Sequence, residues 1–135
     1  MASREKLMEI RVAIKEAFSV QGEKEQVVMI PFSGEASGPY FSGRIIGPGV
    51  DTQRIGADKK ARLSARYMLE GADRDGNACR VFVENEGDWE TGFSPSIVTD
   101  SPLLRRFESA ILTATVEGCP GGVLVSIYTN EQQEE

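Results

Sequence analysis

Apolar and polar residues alternate along much of this chain. Between residues 61 and 70 the apolar positions are Leu63, Ala65, Tyr67 and Leu69. Successive side chains of a β-strand point to opposite faces of a sheet, so this period of two predicts a strand with one buried face. Tyr67 belongs to the apolar face, and its hydroxyl therefore needs either a hydrogen-bond partner in the core or a ligand.

A second alternating segment follows after a short polar turn. Its apolar face holds Cys79, Val81, Val83 and Asn85. The residues between the segments, 73–77 (DRDGN), are typical of a tight connection, so the two segments predict an antiparallel hairpin. Asn85 ends its apolar row, as a polar residue at the mouth of a barrel would. If the connection is taken as residues 71–77, Tyr67 lies four residues before it and Asn85 eight after it. At roughly 3.3 Å per residue this predicts that Tyr67 lies about 13 Å deeper than Asn85.

Apolar, β-branched runs separated by turn residues predict further strands over residues 26–32 and 39–46, and a last hairpin formed by 111–116 and 123–128. The N-terminal segment is ambiguous. Its alternating residues are typical of a strand (Met8, Ile10, Val12, Ile14), but a helical stripe is also possible (Leu7, Ile10, Ile14, Phe18).

One turn with the loop that follows it and one short helix complete the prediction. Gly47-Pro48-Gly49 predicts a turn that leads into a polar loop, which would place Asp51 at a rim. Ser101-Pro102 predicts the start of a short helix that reaches about Ser109, because serine caps helices and proline suits their first position.

Many short strands with turns between them predict an all-β fold. We expect a single antiparallel β-barrel of about seven to eight strands, of lipocalin-like size, with one short helix near the C-terminus. The length fits one domain over residues 1–135, with a core of about residues 7–130.

The composition narrows the possible functions. The formal charge is -6 with no basic stripe, which argues against a nucleic-acid partner and an anionic membrane surface. An export signal is not evident, so we expect a cytoplasmic protein with Cys79 and Cys119 unpaired. The absence of histidine removes the usual near-neutral general base, and no metal site or cofactor is expected.

Several motifs resemble those of a known family. Residues 32–39 (FSGEASGP) and 41–51 (FSGRIIGPGVD) are similar to its pattern of glycine, spacer, Gly-Pro, strand glycine and a Pro-Gly-Gly-Ala-Asp-Trp turn. Residues 63–67 (LSARY) resemble its Leu-x-x-x-Tyr strand, and 83–87 (VENEG) its Val-x-Asn-x-Gly. Residues 107–128 resemble its final helix and hairpin. Over residues 7–130 the chain is similar to the bacterial and fungal domain-of-unknown-function family 3237.

The resemblance implies a compact antiparallel barrel in which the N-terminal segment is a strand. It also implies that the polar positions of the family fall on Asp51, Tyr67 and Asn85. The sequence departs from the family pattern at Val50, in place of alanine, and at Thr52, in place of a tryptophan that could have stacked on a ligand.

Three functions remain open. The first is a binding module that holds one small, largely apolar molecule at the barrel mouth, with Tyr67 and Asn85 orienting it and Asp51 and Arg44 at the rim. The second is a cofactor-independent isomerase, cyclase or lyase that uses Asp51 and Tyr67 as catalytic residues. The third is an oligomer-forming protein with a filled barrel. Strand edges that need covering, with Pro31 interrupting one strand, also predict a homodimer or larger homo-oligomer.

Overall fold

A computed structural model of the chain describes residues 4–130, so residues 1–3 and 131–135 of the predicted domain lie outside it. The described residues form nine β-strands. In chain order these are β1 (Glu5–Ile14), β2 (Phe18–Gln21), β3 (Gln26–Ser37), β4 (Phe41–Ile55), β5 (Ala61–Asp73), β6 (Ala78–Asp88), β7 (Gly92–Thr99), β8 (Leu112–Cys119) and β9 (Gly122–Thr129).

Eight of the strands close into an antiparallel barrel. Their order is β1-β9-β8-β7-β6-β5-β4-β3, and pairing between β3 and β1 closes the ring. The ambiguous N-terminal segment is therefore a strand, and it pairs on both sides. The predicted all-β barrel is confirmed, with one strand more than the ring requires.

The extra strand, β2, pairs with the first part of β3 beyond the point where β1 leaves the sheet. It is an edge strand, and all four of its residues are exposed. Phe18 and Val20 expose 57% and 63% of their surface. An apolar edge with free backbone groups is a natural place for another strand to pair.

The predicted C-terminal helix is wrong in type and length. Residues 101–110 contain a single 3-10 turn, Arg105–Glu108, and no α-helix. Leu104 and Phe107, spaced three apart as a 3-10 turn requires, are both fully buried and cover one end of the barrel. There the Phe107 ring packs on the Tyr40 ring at 5.2 Å. No helix of residues 4–130 is long and apolar enough to cross a membrane.

The predicted turn at residues 47–49 is also wrong, because these residues bulge out of a continuous strand. On β4 the pairing with β5 shifts between Ile46 and Val50, so three residues of β4 lie opposite Tyr67. β3 shifts its register at the same level, between Phe32 and Glu35. Proline is tolerated within a sheet at such a bulge. The strand resumes at Val50, so Asp51 lies in the barrel wall and not in a loop.

Candidate functional site

A row of inward-facing residues crosses four neighbouring strands near the open end of the barrel. Asp51 of β4 pairs with Ile30 of β3 on one side and with Ala65 of β5 on the other. Ala65 in turn pairs with Asn85 of β6. Residues directly opposite in an antiparallel pair share a face and lie about 4.5–5.5 Å apart at Cβ. The strand pairing therefore brings Asp51 and Asn85 to the same height on the inner wall.

Tyr67 lies one layer below this row. It pairs with Val83, two residues from Asn85 along β6, which corresponds to about 7 Å along the strand. The direction of the predicted offset is correct, but its size is about half the value from counting. The count treated Gly71 as the start of the turn, whereas β5 runs on to Asp73 and pairs Ala72 with Ala78.

The bulge shapes the wall beside Tyr67. A side chain at Gly49 would collide with the Phe32 ring, so only glycine lets the ring lie flat against β4. The Phe32 ring in turn meets the Tyr67 ring edge to face, with centroids 5.5 Å apart and an interplanar angle of 71°. This contact fixes the tyrosine ring in an orientation typical of aromatic pairs.

These residues line a cavity of about 70 Å³. A water molecule needs some 10–15 Å³ measured in this way, so there is room for several waters or for part of a small molecule. Most of the lining is aliphatic or aromatic, and its polar members are Asp51, Tyr67 and Asn85. No lysine or arginine lies among the lining residues of the described chain.

Each of the three polar side chains has a buried oxygen without a partner. Tyr67 exposes 5% of its surface and Asn85 exposes 7%. The Tyr67 hydroxyl, the Asn85 Oδ1 and the Asp51 Oδ1 make no hydrogen bond to any residue in 4–130. An unpaired buried polar group costs roughly 1–3 kcal/mol, and three at one place are unusual for a purely structural core.

Burial also changes the acidity of these groups. It raises the pKa of Asp51 above its ordinary value, because the carboxylate loses hydration in an apolar wall. The Gln53 Nε2 donates a hydrogen bond of 2.9 Å to Asp51 Oδ2, which opposes that rise. Burial likewise raises the pKa of Tyr67, so its phenol stays protonated at neutral pH and can donate.

Arg44 does not join this group. It lies on the outer face of β4, exposed, between Glu35 of β3 and Glu70 of β5. Glu70 also forms a 2.9 Å ion pair with Arg80, so the outer wall carries a ladder of alternating charge. The partners of Arg44 and Asp51 on β5 are Glu70 and Ala65, five residues apart, so Arg44 also lies well away from the Asp51 layer along the strand.

Three residues in or beside the cavity, Phe32, Gln53 and Phe93, were not among the candidates from the sequence. Phe32 and Gln53 contact Tyr67 and Asp51, and Phe93 lines the mouth from β7. Trp89, in the turn before β7, packs edge to face on Phe93 at 5.2 Å. For Phe93 a signal existed, because buried and exposed residues alternate strictly along residues 92–99.

A larger groove of about 700 Å³ lies outside the mouth, between residues 54–62 and 88–90. Its walls are exposed charged side chains, among them the ion pair of Lys60 with Glu90 at 3.2 Å. None of the unpartnered buried atoms found in residues 4–130 faces it. Nor do any three Cys, Asp or Glu side chains of the described chain cluster as metal ligands would. The smaller inner cavity is therefore the candidate site.

Known structures share this architecture. The barrel is similar to a protein of unknown function from Clostridium acetobutylicum, with a TM-score of 0.80 and 23% identity, covering 94% of this chain and 95% of that one. It is also similar to an enzyme from Penicillium herquei, with a TM-score of 0.76 and 18% identity over 94% and 92%. At such identities the likeness shows the fold alone.

Sequence comparison identifies the family. A UPF0311 protein of Clostridium acetobutylicum is 32% identical over 68 residues, which are 50% of this chain and only 39% of that relative's length. The model of the family described as "Protein of unknown function (DUF3237)" matches residues 3–92. The chain therefore belongs to the DUF3237 family.

Proposed function

We propose that this protein binds a small, largely apolar molecule at the open end of its barrel. The observation that carries the proposal is the convergence of three unpartnered buried oxygens, on Asp51, Tyr67 and Asn85, on one apolar cavity. Ligand sites in proteins are typically apolar pockets with a few placed polar groups, and barrel mouths are a frequent location. A barrel filled by side chains would not need polar atoms in its lumen.

The test is to fill the cavity from within. Ala65 lies between Asp51 and Asn85 and lines the cavity, so Ala65→Leu would occupy the space that a ligand needs. Ser64, its neighbour on β5, points to the opposite face, and Ser64→Leu is the matched control. Toluene and benzyl alcohol are titrated into ¹⁵N-labelled protein while the amide resonances of residues 51, 65 and 85 are followed.

We expect saturable shifts of these resonances in the wild type and in Ser64→Leu, and none in Ala65→Leu. Equal shifts in all three proteins would place the probes elsewhere. The absence of shifts in the wild type at millimolar probe would contradict the proposal.

A second candidate, acid–base catalysis without a cofactor, is favoured by the raised pKa of Asp51. A carboxylate with a raised pKa is a stronger base than an ordinary one, and perturbed carboxylates in cavities are frequent at active sites. A barrel of the same fold, that from Penicillium herquei, is an enzyme. One step open to an isomerase, cyclase or lyase of this kind is the removal of a proton next to a carbonyl group.

In that step the Asp51 carboxylate takes the proton from carbon, and the carbonyl oxygen gains the charge as the enolate forms. The Tyr67 hydroxyl stabilises this oxygen by donating a hydrogen bond, and Asp51 then returns a proton to the carbon. Acetophenone in deuterated water tests the step, since each cycle replaces a methyl hydrogen by deuterium. Exchange above the buffer rate that disappears in Asp51→Asn supports this candidate, and exchange that is unchanged in that variant opposes it.

A further inference from the structure

The three unpartnered oxygens in the cavity differ in what they require. A phenol is protonated at neutral pH, and burial raises the pKa of Tyr67 further, so its O–H is a donor and a ligand that satisfies it must offer an acceptor. In its ionised form the Asp51 carboxylate can only accept at Oδ1, so a ligand that satisfies this form must offer a donor. The two residues lie on adjacent strands, diagonally across the Asp51–Ala65 pair.

Diagonal neighbours on one face of a sheet lie roughly 7–8 Å apart at Cα. A long phenol can bridge much of this distance, so that one ligand atom can touch both oxygens. The unpartnered atom of Asn85, opposite Ala65, is the amide Oδ1, which accepts. A single hydroxyl proton cannot serve both Asp51 and Asn85, so Asn85 Oδ1 requires a second donor, either from the ligand or from a water molecule.

The charge of the cavity lining further restricts which polar group the ligand can carry. The lining residues of the described chain include one carboxylate and no lysine or arginine. A carboxylate or phosphate on the ligand would lie beside Asp51 without a counter-charge, in an apolar environment that strengthens the repulsion. An ammonium group would pair with Asp51 but has no lone pair for Tyr67. A ketone would satisfy Tyr67 but has no proton for Asp51.

We infer that the ligand presents an uncharged hydroxyl group to Asp51 and Tyr67, donating to the carboxylate and accepting from the phenol. The ligand class is an apolar alcohol or enol rather than an organic acid, an amine or a hydrocarbon. The inference rests on the proposed binding function and adds the chemistry of the group that is recognised.

The experiment compares five probes with the same aromatic ring: benzyl alcohol, acetophenone, benzylamine, benzoate and toluene. Dissociation constants come from ¹⁵N chemical-shift titrations of the wild type, Tyr67→Phe and Asp51→Leu. Thr52→Val, a change on the opposite face of β4, is the control. Asp51→Leu and Thr52→Val keep the number and branching of the side-chain heavy atoms that they replace, and Tyr67→Phe loses only the hydroxyl oxygen.

For the wild type we expect benzyl alcohol to bind about tenfold more tightly than toluene, the size of one hydrogen bond to a charged group. Asp51→Leu removes this advantage but leaves acetophenone unchanged, because the ketone never donated. Tyr67→Phe weakens both benzyl alcohol and acetophenone and leaves toluene unchanged. Thr52→Val alters none of them.

The failures are distinguishable. If toluene binds as tightly as benzyl alcohol at the cavity amides, the binding function stands and the hydroxyl inference is overturned. Benzylamine or benzoate as the tightest probe overturns it as well, in favour of a cationic or anionic ligand. If no probe, toluene included, shifts the cavity amides, the binding function fails and the inference falls with it.

Discussion

Removal of the Tyr67 hydroxyl is expected to stabilise this protein. A buried tyrosine normally loses stability on change to phenylalanine, because its hydroxyl has a partner. The Tyr67 hydroxyl has none among residues 4–130, so Tyr67→Phe removes a desolvation cost of roughly 1–3 kcal/mol. The ring stays, and with it the edge-to-face contact with Phe32.

The expected shift in melting temperature follows from chain length. At about 2.1 cal/mol/K per residue, the unfolding entropy for 135 residues is about 0.28 kcal/mol/K. One kcal/mol therefore corresponds to about 3–4 °C. We expect Tyr67→Phe to raise the melting temperature by at least about 3 °C, measured by calorimetry and checked by urea denaturation.

Tyr40 supplies the control. It is equally buried, but its hydroxyl donates a short hydrogen bond to Glu5 Oε1. Tyr40→Phe is therefore expected to lower the melting temperature, by about 5–10 °C if a hydrogen bond to a charged group contributes roughly 1.5–3 kcal/mol. A loss of stability in Tyr67→Phe as large as that in Tyr40→Phe would mean that the Tyr67 hydroxyl is satisfied. The argument for a ligand-directed group would then be refuted.

Three further predictions concern charge, packing and assembly. Because burial raises the pKa of Asp51, ionisation of this carboxyl group opposes folding, and Asp51→Asn should be more stable than the wild type at neutral pH. Urea denaturation should show that this difference disappears below pH 3.8, the ordinary pKa of the aspartate side chain. Gly49→Ala should lose about 1–3 kcal/mol through collision with the Phe32 ring, whereas Gly118→Ala, with open space around it, should lose much less. Light scattering of the wild type should give a mass above that of one chain, and Val20→Lys on the exposed edge strand β2 should give the mass of a single chain. A single-chain mass for the wild type at all concentrations would contradict the predicted assembly.

Periodicity was sufficient to predict which face of its strand Tyr67 or Asn85 occupies. Tyr67 and Asn85 both lie among apolar residues at every second position, and both face the lumen. Depth along the barrel was harder, because it depends on where the hairpin turn begins. A turn residue such as Asp73 can extend a strand by two positions, and the height of every residue before it then changes.

Interruptions of the periodic pattern caused two opposite errors: a turn was predicted inside a strand, and a real strand was not predicted. Gly-Pro-Gly at residues 47–49 indicates a turn in isolation, yet cross-strand pairing with β3 and β5 carries the strand through it as a bulge. Strand β7 was not predicted at all, although its buried residues alternate, because Pro95 and three serines or glycines weaken the β signal. In both cases long-range pairing decided the structure against local propensity.

The short helix failed for a related reason. Ser101 was expected to cap a helix, and its Oγ does accept a hydrogen bond from the Leu104 N–H at 3.3 Å. The same hydroxyl also donates to Asp73 Oδ2 at 3.0 Å, which ties the segment to the β5–β6 turn. The chain must then reach β8 at Leu112, so one 3-10 turn is all that fits.

The two ends of the barrel differ in how they satisfy a carboxylate, which is buried at Asp73 and half-buried at Asp51. At the closed end Asp73 accepts hydrogen bonds from the backbone N–H groups of Asp75 and Asn77 and from the Ser101 hydroxyl. At the open end Asp51 receives one side-chain hydrogen bond at Oδ2, and its Oδ1 has no partner among residues 4–130. The buried carboxylate of Asp73 therefore has hydrogen-bond partners at the end of the barrel for which no function is proposed. When a natural protein leaves a buried polar atom without a partner, the site is usually functional, because a bound ligand can offset the loss of stability. The contrast between Asp73 and Asp51 therefore supports the proposal that the open end of the barrel binds a ligand.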